Sequence, residues 1–209
     1  MVPEIEQSQD GRDMQLHLGV NYEEFLVGEA LEKRRWHVYV PTKDVGIDLL
    51  AERDNRIVRV QVKGSRTFMI RGEYVRWSSW TQLGPDALGR ATSIGVDFVV
   101  FVVHAPDESG HRARVVPFFV IISPADLEAR LAAYRPGKTD RAVYWWRDDD
   151  GRLWEVRGVR ERKVSSSYRQ AARDFTRHLD NWSLLDSGEA VRPTGRHNSR
   201  GARLTSGKT

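Results

Sequence analysis

The 209-residue chain contains no cysteine, and that one absence removes several kinds of chemistry. Disulfides, thiolate metal sites and cysteine nucleophiles are excluded, and the composition fits a reducing cytoplasm. No apolar run approaches the ~18 residues of a membrane-spanning helix. The opening MVPEIEQSQDGRD lacks the apolar stretch of a secretory signal, so a cytoplasmic chain with no membrane partner is expected. The six histidines are scattered without HxxxH or similar ligand spacing, and His37 and His178 read as structural or surface residues. There is no Gly-x-Ser-x-Gly elbow, dinucleotide fingerprint or complete phosphate-binding loop. Gly207-Lys208-Thr209 resembles the end of such a loop but has no upstream glycine, strand or following helix to complete it.

Net positive charge is also absent outside one segment. Between Ser187 and Thr209 stand Arg192, Arg196, Arg200, Arg203 and Lys208 against Glu189, which accounts for the whole net charge of +4. Residues 1–186 are therefore formally neutral. The tail is rich in Gly, Ser and Arg and poor in large apolar side chains, so it is expected to be disordered. It could hold nucleic-acid phosphates by charge or serve only as a solubilising extension. Residues 1–13 read as a flexible lead-in, 14–186 as one domain and 187–209 as the disordered basic tail.

Within the domain, Leu26, Val27, Ala30 and Leu31 follow helical spacing, with Asn21 as N-cap and Glu24 as the capping-box acid. Trp36 to Pro41 reads as a strand, and Asp44 to Ser65 as a hairpin. Thr67 to Trp77 reads as a strand pair about Gly72, and Gly84 to Ala91 as a turn and short helix. Val96 to His104 and Val115 to Ile122 are continuous apolar runs, as in strands buried on both faces. Ser123-Pro124 opens a helix to about Tyr134. Ala142–Trp146 and Leu153–Val156 flank the turn RDDDGR as a hairpin, with one of Trp145 and Trp146 inward and the other partly outward. Ala172, Phe175, Leu179 and Trp182 suggest a last helix, Tyr168 to about Leu185. The order implies an α/β or α+β fold with a mixed central sheet flanked by helices, and a C-terminal hairpin and helix.

The hairpin DVGIDLLAERDNRIVRVQVKGS carries the chemistry. A turn centred on Asp54-Asn55 pairs Ile47 with Val62, Leu49 with Val60 and Ala51 with Val58, giving one wholly apolar face. The other face places Asp48 opposite Gln61 with Lys63 two residues along. Leu50 and Ile57 on that second face suggest that it is also covered at its far end. A covered carboxylate beside a lysine needs a reason, and a hard divalent cation provides one, with the Asp48 carboxylate, the Gln61 amide oxygen and a backbone carbonyl as ligands.

Residues Gly19 to Arg66, with a Glu-bearing helix, a strand, GIDLLAE, a turn and VQVKGS, resemble the PD-(D/E)XK nuclease superfamily of restriction enzymes and Holliday-junction resolvases. The match is to its branch of small bacterial domains with Gln-x-Lys in place of Glu-x-Lys. The resemblance implies a restriction-endonuclease-like sheet and Mg²⁺- or Mn²⁺-dependent hydrolysis of DNA phosphodiester bonds by metal-bound water. Asp48 would be the metal-binding Asp, Gln61 the variant second ligand and Lys63 the catalytic lysine. For the acid of the first helix, Glu24 lies twelve residues before Trp36 and is the primary candidate. Glu23, in a Gly-x-x-x-Glu pattern from Gly19, is the alternate. Ile47 stands where the motif has Pro, and Gln61 removes one anionic ligand.

Arg76-Trp77-Ser78-Ser79-Trp80 reads as a basic, aromatic loop suited to DNA contact, with Ser65 and Arg66 beside it. Duplex cleavage normally needs two active sites, so a homodimer is the expected form for that substrate. The alternatives are a nuclease-fold module that binds DNA or a protein partner without cutting, and a structural α+β domain with a solvated hairpin.

Overall fold

The computed structural model describes residues 20–42, 46–69, 77–84, 86–107, 114–134, 141–148, 150–156 and 168–187. The lead-in and the basic tail, apart from Ser187, lie outside them. Helix α1 (Tyr22–Glu32) starts at Asn21, whose backbone N–H and side-chain amide both donate to the Glu24 carboxylate, at 3.0 and 2.8 Å. After β1 (His37–Tyr39), β2 (Leu49–Arg53) and β3 (Arg56–Gly64) form the expected hairpin. Asp54 and Asn55 both take positive φ, 51° and 62°, the backbone of a tight primed turn. Leu49 pairs with Val60 and Ala51 with Val58, as the apolar pattern requires.

Strand β3 then pairs in parallel with β6 (Phe98–Asp107), which pairs antiparallel with β7 (Arg114–Ile122). The five-stranded mixed sheet has the order β1-β2-β3-β6-β7. On one face, Val58, Val60, Val62, Phe98, Val100 and Val102 pack against α1. On the other, Val99, Phe101 and Val103 meet α2 (Ala87–Ser93), α3 (Pro124–Tyr134) and a second sheet. Burial on both faces explains the unbroken apolar run of β6. The N-cap of α3 is Ser123, whose hydroxyl accepts from the Asp126 N–H.

The second sheet corrects the sequence reading. Strands β4 (Arg66–Met69), β5 (Trp77–Leu83), β8 (Arg141–Arg147) and β9 (Leu153–Glu155) form an antiparallel sheet in that order. Residues 77–80 are therefore strand and not loop, while Gly72 and Arg76 lie outside the described residues. The pattern misled because β5 turns polar side chains inward. Ser79 and Thr81 are buried and satisfied there, Ser79 by the Ser65 hydroxyl at 2.8 Å and Thr81 by the Trp145 indole at 3.4 Å. The β8–β9 hairpin is as expected, with Trp145 fully buried and Trp146 partly so.

The expected last helix is a strap of three 3₁₀ turns, at Ala171–Arg173, Thr176–His178 and Trp182–Leu185. Its aspartates divert the backbone from helical bonding. The Asp174 carboxylate accepts from the Thr176 N–H at 2.9 Å, and Asp180 takes φ 49°. The Asp180 N–H donates to the Phe119 carbonyl, and its carboxylate accepts from the Phe119 N–H, both at 2.8 Å. The strap thus covers the β7 edge, which would otherwise offer unpaired backbone groups to another strand. It places Phe175 in one core and Trp182 and Leu185 in the other.

His178 is buried in this strap, with Nδ1–H donating to the Ile121 carbonyl at 2.8 Å and Nε2 accepting from the Arg177 Nε–H at 3.0 Å. Burial pushes its pKa down to about 4, despite Asp126 at 3.2 Å. The unfolded chain takes up this proton near pH 6.5 and the folded chain does not, so the contribution to stability is complete above pH 6.5 and is lost as pH falls towards 4. Urea titrations across that window are expected to show a loss on the order of 3 kcal/mol, absent in His178→Gln. A pH-independent stability in the parent protein would refute the assignment.

Candidate active site

The ladder between β2 and β3 stops at Leu49, one residue short of the aspartate. Leu49 and Ala51 belong to the core under α1, whereas Ile47 packs into the opposite core. Ile47 therefore does not face Val62, and Asp48 does not sit in a ladder pair with Gln61. The cause is a turn at Gly46 (φ 84°) followed by a side chain replacing a backbone acceptor. The Asp48 N–H donates to the Val60 carbonyl at 3.0 Å, and the Val62 N–H donates to the Asp48 carboxylate at 2.6 Å. The carboxylate is thus bonded to the residue lying between Gln61 and Lys63. The far end of this hairpin face is open, because Ile57 is 61% exposed, although Leu50 is half-buried.

Gln61 is held by the same turn. Its Nε2–H donates to the Gly46 carbonyl at 3.0 Å, which fixes the amide with Oε1 as the acceptor end. Lys63 is half-buried and makes no hydrogen bond or ion pair with any described residue. Both side chains line a cleft of about 490 Å³ whose other polar walls, among the described residues, are Gln82 on β5 and Arg90 on α2.

The two helix acids have separate surroundings. Both oxygens of Glu24 are taken up at the cap of α1. Glu23 reaches the sheet: a Cβ on Gly64 would come within 3.0 Å of its carboxylate, so the glycine leaves the room that this side chain occupies. Its Oε1 lies 3.4 Å from Nε2 of His104, on which the Tyr22 ring stacks. Glu23 therefore stands at the same strand end as Lys63 but on the α1 face, while Gln61 and Lys63 alternate to the other face. The capping box, already visible in the sequence, was the signal that separates the two acids.

The candidate DNA contacts divide as well. The Ser65 hydroxyl accepts from the His104 N–H at 3.2 Å and bonds Ser79, joining the two sheets. Arg66 and Trp80 do come together, with the guanidinium 5.6 Å from the indole ring and Tyr144 stacked 6.4 Å beyond. Trp77 pairs with Met69 along β4–β5.

No protein-family model matches the chain, and no curated protein matches it. Among solved structures, a bacterial homing endonuclease overlaps 78% of this chain and 86% of its own at 13% identity. The TM-score is 0.38, too low for either fold or function to be argued from it. No helix among the described residues is long and apolar enough to cross a membrane. Nor do three His, Asp or Glu of the described residues gather as a metal cluster. The oxygen donors tied to this turn are the Asp48 carboxylate, bonded to the Val62 N–H, and Gln61 Oε1, whose amide donates to the Gly46 carbonyl. That set fits Mg²⁺ in kind, since this ion commonly takes one or two carboxylates, keeps several waters and completes its shell with substrate phosphate.

Two outcomes follow for the turn. Asp48→Asn retains an acceptor for the Val62 N–H, whereas Asp48→Ala leaves that buried donor unsatisfied. Urea unfolding is expected to find the alanine variant about 2 kcal/mol less stable than the asparagine variant, and equal stabilities would contradict the role given to this bond. Gln61→Glu replaces the donor to Gly46 with a carboxylate facing a carbonyl. A loss of about 1–2 kcal/mol is expected at neutral pH, and a stabilised variant would count against it.

Proposed function

We propose that the protein is a metal-dependent nuclease that hydrolyses DNA phosphodiester bonds at the site formed by Asp48, Gln61 and Lys63. The observation that carries this reading is Lys63: a half-buried ammonium without a protein partner among the described residues, opening with Gln61 onto a cleft. An unpaired, partly desolvated cation calls for an anion, and a phosphodiester is the anion that the rest of the motif suits. Asp48 and Gln61 Oε1 would hold Mg²⁺ or Mn²⁺, which supplies a polarised phosphate and a more acidic water. Lys63 binds the scissile phosphate and offsets charge developing on it. Glu23, seated over Gly64, is the better placed of the two helix acids to act at this strand end, Glu24 being engaged at the cap. Arg66 and Trp80 offer a cation and a ring face to the flanking DNA, and a homodimer is the form suited to cutting both strands.

A second reading, a nuclease fold that binds DNA without cutting it, is favoured by the donor set. Among the described residues, the only carboxylate bonded into the Gln-x-Lys segment of β3 is Asp48. Incubation with supercoiled, linear, branched and single-stranded DNA, with Mg²⁺, Mn²⁺ or EDTA, separates the two. Metal-dependent cleavage is expected, reduced at least about 100-fold by Lys63→Ala and by Asp48→Asn, with both variants folded. Undiminished cleavage by Lys63→Ala would sink the nuclease assignment, and DNA binding without cleavage by the parent protein would establish the second reading.

A further inference from the structure

Helix α2 adds a second cation to the cleft that the motif does not include. Arg90 lies in its last turn, with Nη2 3.9 Å from the place of a Cβ on Gly84, another residue of the cleft wall. Like Lys63, its guanidinium has no hydrogen bond or ion pair among the described residues. No carboxylate is among the described residues that line the cleft. Two unpaired cations facing one space repel each other until an anion enters.

The remaining wall is of a different kind. Ile94 and the half-buried Ala87 present apolar surface over the buried Leu83 and Ala91, and Gln82 stands beside Leu83 at the end of β5. Ile94, 37% exposed, sits so near the Gly46 turn that a Cβ on Gly46 would come within 3.0 Å of its Cδ1. An inorganic anion uses only the cations. A nucleotide uses both walls, with its phosphate on the charged side and its sugar and base on the apolar one. The volume, about 490 Å³, falls within the roughly 300–1,000 Å³ of small-ligand pockets.

We infer that this cleft is a one-nucleotide pocket in which Arg90 and Lys63 hold the phosphate and the α2 wall receives the sugar and base. The inference rests on the nuclease reading in taking the ligand to be part of a nucleic acid, and it names the substrate class. A base inside an intact duplex stays stacked and paired, so a pocket that admits the base selects single-stranded DNA, a strand end or an unpaired nucleotide. Arg90 is here a positioning residue, acting on a phosphate and not on the reacting water.

The test is calorimetric binding to the full chain in EDTA, which keeps it independent of metal and of cleavage. The probes are thymidine 5′-monophosphate, thymidine and inorganic phosphate, followed by a single-stranded oligonucleotide and its duplex. The monophosphate is expected to bind at least about tenfold tighter than either fragment, and the single strand tighter than the duplex. Arg90→Ala, at an exposed position, should weaken monophosphate binding about tenfold or more and leave thymidine unchanged. Ile94→Trp should weaken the monophosphate and thymidine together and spare phosphate. Monophosphate binding no tighter than phosphate would overturn the nucleotide pocket, as would Arg90→Ala without effect or a preference for the duplex. Tight monophosphate binding by a protein that cuts no DNA would uphold the pocket and remove the nuclease reading, so the two failures are distinct.

Discussion

Everything that surrounds the site depends on the parallel pairing of β3 with β6. Two antiparallel strands can be joined by a two-residue turn, as β2 and β3 are, but two parallel strands need a long crossover. Here that crossover runs from Ser65 to Asp97 and contains β4, β5 and α2. It builds the wall that faces Gln61 and Lys63, with Gln82 and Leu83 from β5 and Arg90 and Ile94 from the end of α2. A hairpin in place of the crossover would have left the Gln-x-Lys segment on an open sheet face. The same pairing makes β6 a central strand with both faces covered, so that Val99, Phe101 and Val103 support the second sheet while Val100 and Val102 support α1.

Within that frame, Gly46 couples three features that look separate in the sequence. Its positive φ turns the chain so that Ile47 enters one core and Leu49 the other, and Asp48 is left between them, bonded to the β3 backbone. Its carbonyl accepts from Gln61, and its missing side chain leaves space taken by Ile94 of the cleft wall. An amide at position 61 does something that a carboxylate at the same place could not: it donates to the turn that carries the aspartate while keeping an oxygen for a cation. Gln61 therefore has a structural reason in this chain, independent of any chemistry at the site.

What could be read in advance was what rests on short-range chemistry. Asn21 with Glu24, Ser123 with Pro124, and Asp54-Asn55 are local signals, and each element began or turned where they stand. The β2–β3 register followed from burial alone because a shift by one residue inverts the apolar face. The failures share a cause: polar groups whose partners are remote. Ser79 and Thr81 look like loop residues until Ser65 and Trp145 are placed beside them. Asp174 and Asp180 look like ordinary helix-surface residues until one bonds Thr176 and the other the β7 backbone. Hydrophobic periodicity found the buried positions of the strap, Phe175 and Trp182, but not the backbone that delivers them.

The helix acids show how far a local signal reaches when it is carried to its consequence. A side chain that satisfies the first N–H groups of a helix lies along the helix start, so its carboxylate cannot also extend across a sheet. Glu24 accepts two bonds from Asn21 and is thereby held at the cap. The neighbouring residue points about 100° around the helix, and Glu23 reaches the sheet over the one position in β3 that has no Cβ. Gly64 needs no unusual backbone angle to account for it, because the close approach of Glu23 is sufficient. A Gln-x-Lys-Gly run following a capped helix with two adjacent acids thus contains its own assignment: the glutamate outside the capping box is the one that the glycine admits.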